Sequence, residues 1–184
     1  PVTLPVAASD LVAWYPFRSG TGEDLTAGDS DFGDTTDYSA TVNGATFKPS
    51  GGTTDIQTGP NSGAFDFDGT DDTLDLGTVA DSDQSLTVMT WVKVDSASIG
   101  RGVRIVTKAN GNDRIEDGAI SLVKLNTDRI RLFAGSGGSF SPVDTSPTLS
   151  AGTYAHIAAR YDFQSTELTL FFNGAPEGTV GHTQ

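Results

Sequence analysis

Aspartate carries most of the chemistry this sequence can offer. Asp and Glu total 24 against 11 Lys plus Arg, for a formal net charge of −13. Nearly all of that acidity is Asp, since Glu occurs only at Glu23, Glu116, Glu167 and Glu177. Two Asp groups sit in Gly-containing loops: Asp34 with Asp37 in the acidic stretch 20–38, and Asp68, Asp71 and Asp72 in Asp68-Gly69-Thr70-Asp71-Asp72. Clustered carboxylates on a turn are the hard oxygen ligands that Ca²⁺ prefers. Calcium is therefore the expected ion, with Asp34, Asp37, Asp68, Asp71 and Asp72 as its expected ligands. The competing reading is a solvated, halophilic-type surface whose self-repulsion salt screens within a few ångströms.

Other chemistries lack their residues. There is no Cys, so disulfides and thiolate sites are excluded. His156 and His182 are the only imidazoles, too few for a zinc site, and His156 reads as a core or sheet-face residue. No Gly-x-Ser-x-Gly elbow is present. Glycoside hydrolysis needs two carboxyl groups about 5–9 Å apart across the scissile bond. None of the four Glu belongs to a carboxylate run, and Asp66 with Asp68 lack a third partner, so the chain reads as non-enzymatic. The negative charge repels phosphate backbones, which argues against nucleic acid. No apolar run of about 18 residues exists to insert in a membrane.

The elements that must position these residues are short strands. Val, Thr, Phe and Leu recur in brief runs broken by Asp, Gly, Ser and Asn, the composition of a sandwich or jelly roll without long helices. Leu11–Phe17 reads as the opening strand, with Pro16 marking an edge or bulge. Residues 40–47 read as a hairpin turning at Asn43-Gly44. Residues 64–76 read as two short strands around a turn, with Phe65 and Phe67 inward and Asp66 outward. Residues 86–94 are apolar on both parities and read as a central strand with Trp91 in an inner layer. Residues 103–108, 119–125 and 129–134 supply three more strands, and 135–150 reads as a Gly/Ser/Pro loop. Ile157, Ala159 and Tyr161 alternate with Ala158, Arg160 and Asp162, the period of a half-buried strand. Leu168–Phe172 is apolar and runs into Asn173-Gly174, a type I′ hairpin signal.

The stretch Tyr154-Ala155-His156-Ile157-Ala158-Ala159-Arg160-Tyr161-Asp162, followed by Leu168–Phe172 and Asn173-Gly174, resembles the laminin-G-like and pentraxin-like domains of the concanavalin-A-like lectin/glucanase superfamily. The segments around Val42–Thr46, Phe67–Asp72, Thr87–Val92, Ile105–Lys108 and Ala151–His156 resemble family motifs in the same order. The resemblance implies an all-β, two-sheet antiparallel β-sandwich with essentially no helix over residues 10–184, preceded by an extension or linker at 1–9. It also implies a further C-terminal strand beyond Gln184 that would pair beside Leu11–Phe17. Without that strand the opening edge would be covered by another polypeptide or by further residues of this one.

What the resemblance implies for function is recognition at an extracellular, cell or virion surface. The expected partner is a glycan or a cell-surface protein, with calcium assisting. In pentraxin-like members, part of the calcium site lies after the strand matching Ile105–Lys108, which puts Asn110, Asn112, Asp113 and Asp117 forward as ligand-binding residues. The alternative is a structural, spike or decoration module of a larger assembly, joined through strand edges. Either way the chain is expected to act as an oligomer or as part of such an assembly.

Overall fold

The computed structural model describes residues 12, 13, 15, 17, 20–24, 36–49, 63–79, 85–108, 120–136 and 139–182. The chain divides into two compact units, Pro1–Val79 and Ala80–Gln184. Among the described residues the only helical element is a 3₁₀ turn at Ser96–Ser98, capped by Asp95, and every ladder is antiparallel. Among the described residues no helix is long and apolar enough to cross a membrane.

The first unit holds two small ladders. Strand β1 (Thr41–Asn43) pairs with β4 (Thr73–Asp75), and β2 (Thr46–Pro49) pairs with β3 (Gly63–Asp66). Asn43-Gly44 therefore does not close the expected hairpin; it passes the chain from one ladder to the other. The reason lies in the backbone. Gly44 has φ +77°, but Asn43 stays extended in β1, whereas a type I′ turn needs positive φ at both residues. The two strands expected within 64–76 are both present, though neither pairs with the other. Phe65 faces inward as expected, in edge contact with Phe17 at 5.1 Å and tilted against Phe47 at 5.8 Å between ring centroids. Phe67 does not: it lies beyond β3, which ends at Asp66, and is 48% exposed. Val12, Ala13, Tyr15 and Phe17 join no strand, and the rest of the expected opening strand lies outside the described residues.

The second unit is a β-sandwich. One sheet runs β12 (Ala175–Gly181), β11 (Glu167–Phe172), β10 (Tyr154–Asp162), β5 (Leu86–Lys93). The other runs β6 (Val103–Lys108), β7 (Ile120–Lys124), β8 (Arg129–Ser136), β9 (Ser139–Thr148). The core forms where their inner faces meet. Ala155, Ile157, Ala159 and Tyr161 of β10 with Leu168, Leu170 and Phe172 of β11 pack against Leu122, Ile130, Leu132, Ala134 and Val143. Each fully buried Ile or Leu contributes roughly 1.5–3 kcal/mol over its exposed state. The β11–β12 connection is the type I′ turn expected from the sequence, with φ +50° at Asn173 and +82° at Gly174.

Two expectations are overturned here. The stretch 135–150 is not a loop, since β8 continues to Ser136 and β9 fills Ser139–Thr148. Pro142 and Pro147 are tolerated because β9 is an outer strand of its sheet, where the missing N–H groups need not pair inward. The buried Thr145 hydroxyl repairs the irregular register, accepting from Ile130 N at 3.0 Å and donating to Pro147 O at 2.7 Å. Strand β5, in turn, is not a doubly buried central strand. Among the described residues it pairs with β10 alone, and its residues alternate between half-buried and exposed.

Candidate functional site

The sequence-predicted Asp68, Asp71 and Asp72 are brought together between β3 and β4. One carboxylate oxygen from each lies within 4.8 Å of the others, and this is the one such group of three among the described residues. Local hydrogen bonds make the turn. Asp68 Oδ1 accepts from Thr70 N at 2.7 Å, Asp68 N donates to Asp72 Oδ2 at 2.7 Å, and Gly69 takes φ +78° between them. The β1–β4 ladder then sets the turn beside Gly44. There a Cβ would come within 2.2 Å of Asp72 Oδ1 and push that carboxylate aside, and the φ of +77° itself favours glycine. Three hard oxygen donors on one exposed face suit a divalent cation. Asp68 and Asp72 also stand ordered by backbone donors, and in water the mutual repulsion of the three is weak.

Asp37 does not join a comparable group among the described residues. Its Oδ1 accepts from Ser39 N at 2.8 Å, and hydrogen bonding from Ser39 holds its carboxyl below the usual carboxylate range. Asp34, and the implied ligands Asn110, Asn112, Asp113 and Asp117, lie outside the described residues. The buried acid of this region is Asp24, 4% exposed, whose Oδ2 accepts from Tyr38 N at 3.3 Å. Nearby, Tyr15 donates its hydroxyl to Tyr38 O at 2.7 Å. Burial, then the charges of Asp24 and Asp37, push the Tyr15 phenol up to about 12. This arrangement pins the chain and offers no open coordination face.

A second site lies on the outer face of the β5–β10–β11 sheet. Strand parity points Thr87, Met89, Trp91 and Lys93 away from the core, opposite Arg160, Ala158, His156 and Tyr154 of β10. Trp91, expected in an inner layer, is 60% exposed. Its ring sits 5.1 Å from that of His156 at a 60° tilt, and Lys93 Nζ lies 4.8 Å over the Tyr154 ring. Met89, 38% exposed, faces Ala158, which faces Phe171 on β11. Arg160 pairs with Asp162 at 2.5 Å at the polar end of the strip. Asn173 braces the His156 backbone: Oδ1 accepts from His156 N and its own N–H donates to His156 O, both at 2.8 Å. Burial pulls the His156 imidazole below its ordinary value, which favours the neutral ring beside Trp91.

Sequence reasoning missed this face because Trp91 was read by residue type. The signal was in its parity: Thr87 and Lys93 share it, while Leu86, Val88 and Val92 hold the other. Exposed aromatic, apolar and cationic groups side by side form a flat platform. It can stack against the C–H face of a sugar ring or an apolar partner while Lys93, Arg160 and Asp162 supply hydrogen bonds. At its polar end Asp162 faces Glu167 across the β10–β11 ladder, with Asp162 already engaged by Arg160 and by the backbone N–H groups of Gln164 and Ser165.

Three solved structures share features of this fold. The CBM40 of the Ruminococcus gnavus IT-sialidase, bound to α2,3-sialyllactose, is 16% identical at a TM-score of 0.46, covering 55% of this chain and 55% of that one. The heptameric SAP-like pentraxin of Limulus polyphemus is 17% identical at 0.41, covering 53% and 44%. An S-layer domain-containing protein (residues 221–444) from Clostridium thermocellum is 19% identical at 0.49, covering 93% and 72%. The chain spans about half the length of the sialidase modules it matches. No curated protein matches it. A laminin G-type family model matches residues 68–184, well over half of the sequence and including the whole sandwich unit. The chain belongs to the concanavalin A-like lectin/glucanases superfamily.

Proposed function

We propose that this chain is a non-enzymatic recognition module that binds glycans through the outer face of the β5–β10–β11 sheet. The observation that carries the reading is Trp91, a large aromatic 60% exposed on a regular strand and flanked by His156 and Met89. Burying such a ring against water costs nothing structurally and gains apolar contact, so a strip of this kind marks a contact surface. The absence of catalysis is part of the proposal. Among the described residues, the clustered carboxylates are three short Asp side chains within one turn. Glu177 is engaged by Ser146 N at 2.9 Å, and Glu167 lies at the end of β11 between Gly181 and Asp162, whose carboxylate accepts from Arg160, Gln164 N and Ser165 N.

Calcium belongs to the same proposal, with Asp68, Asp71 and Asp72 as its ligands. An extracellular or cell-surface setting follows from the ligand class. The second reading, a structural module of a larger surface or virion assembly, is favoured by one observation. Strand β5 has an unpaired outer edge among the described residues, and such edges accept a strand from another chain.

A glycan array probed with the parent chain, Trp91→Ala and Asp71→Ala, in calcium and in chelator, tests the reading. Retention on one glycan class that is lost in Trp91→Ala, with an unchanged circular dichroism spectrum, is the expected result. Loss in chelator and in Asp71→Ala would assign calcium to the turn. Equal retention of parent and Trp91→Ala refutes the platform. No glycan retention together with a stable oligomer favours the structural module.

A further inference from the structure

Lys124 ends β7 with its side chain only 1% exposed. A buried ammonium must replace the water it gives up, or its charge is expelled. Here oxygen replaces it from every direction. Nζ donates to the main-chain carbonyls of Ser98 at 2.8 Å and Arg101 at 2.6 Å, and at longer range to Leu125 at 3.4 Å. The fourth oxygen is Asp128 Oδ1 at 2.7 Å.

The cage is held by its own supports, independently of the lysine. Asp128 takes φ +62°, its Oδ1 also accepts from Gly100 N at 3.0 Å, and its carbonyl accepts from Leu149 N at 2.8 Å. The Leu125 and Asp128 backbones close a turn, with Asp128 N donating to Leu125 O at 3.0 Å. On the other side, Asp95 caps the 3₁₀ turn, accepting from Ser98 N at 2.8 Å, which aims the Ser98 carbonyl inward.

Three carbonyls and one carboxylate converging on a point are the donor set of a hard cation such as Ca²⁺ or Na⁺. We propose that the Lys124 ammonium is the resident cation of this cage, an intramolecular substitute for a metal ion. It joins residues 95–102 to the β7–β8 turn without a bound ion, and its removal uncovers a cation site. Three of the contacts, at 2.6–2.8 Å, are slightly longer than calcium–oxygen bonds of about 2.3–2.6 Å, so an ion would draw those oxygens in by a few tenths of an ångström, while the Leu125 carbonyl at 3.4 Å would move farther or leave its place to water. Met is the informative replacement because it keeps the apolar stem of lysine out to Cε and removes the ammonium, its charge and its three N–H donors, which leaves the centre of the cage open to an ion.

The test is thermal melting of Lys124→Met in the full chain, in chelator and in about millimolar calcium, a range typical of weak oxygen sites. An Asp71→Ala background removes any response of the Asp68/Asp71/Asp72 turn. The variant is expected to melt below its parent in chelator and to regain at least half of the lost midpoint in calcium, as binding to the folded state alone requires. Adding Asp128→Asn should abolish the recovery. If the variant does not fold in chelator, refolding yield replaces the midpoint as the readout, with calcium expected to restore it. A calcium shift no larger than the parent's, recovery that survives Asp128→Asn, or no refolding in calcium would each overturn the proposal.

Discussion

Leu170→Ala and Trp91→Ala, measured side by side, probe the assignment of inner and outer faces. Leu170 is fully buried, on β11 among Ile157, Leu168 and the facing sheet. Its truncation leaves a cavity in a packed core and should cost about 2–5 kcal/mol. Trp91 is 60% exposed. The remaining two-fifths of a side chain of roughly 250 Å² comes to about 100 Å². At about 25 cal/mol per Å² that is at most about 2.5 kcal/mol, and the compact unfolded chain and the retained Cβ lower it to about 1–2 kcal/mol. At about 4 °C per kcal/mol for a unit of this size, Leu170→Ala should lower the melting midpoint by about 8–20 °C and Trp91→Ala by about 4–8 °C. Far-UV circular dichroism melts check this, with each resolved transition fitted separately because the chain holds two compact units. Trp91→Ala costing as much as Leu170→Ala would refute the outward placement, and with it the platform.

Two further outcomes follow from local geometry. Gly174 has φ +82° with open space around a built Cβ, so Gly174→Ala should cost about 1–2 kcal/mol through the backbone alone, read from urea denaturation midpoints. A neutral result would remove the type I′ turn. Arg131 donates to both Asp144 oxygens, Nε to Oδ1 at 2.6 Å and Nη2 to Oδ2 at 2.7 Å, which holds the Asp144 carboxyl below its ordinary value of 3.8. A depressed carboxylate stabilises the fold above its unfolded value and loses that contribution as pH falls through the folded value. The pair should therefore contribute about 1 kcal/mol or less above about pH 5, fading below about pH 4, and Asp144→Asn should flatten that part of the acid profile. An unchanged acid profile in the variant would count against the pair.

Strands β10 and β11 of the sandwich were legible because their signals are local. Ile157, Ala159 and Tyr161 alternate with polar neighbours, and Asn173-Gly174 can adopt its turn from residue type alone. The Asp68–Asp72 turn was legible for the same reason, since its carboxylates lie within five residues and its hydrogen bonds run within the turn. Residue type failed where pairing decided the outcome. Asn43-Gly44 carries the same dipeptide as Asn173-Gly174, yet its flanking strands found β4 and β3 rather than each other, because those partners lie farther along the chain. Pro142 and Pro147 argued for a loop, and only β9's outer position in its sheet made them harmless. Trp91 left its expected place, and Lys124 took a buried one, for one reason. Hydrophobicity says what a side chain prefers, while strand parity and the oxygens waiting at each position decide what it meets. The sequence thus determined the all-β class and the Asn173-Gly174 turn; the sheets' partners alone put the tryptophan outside and the lysine within.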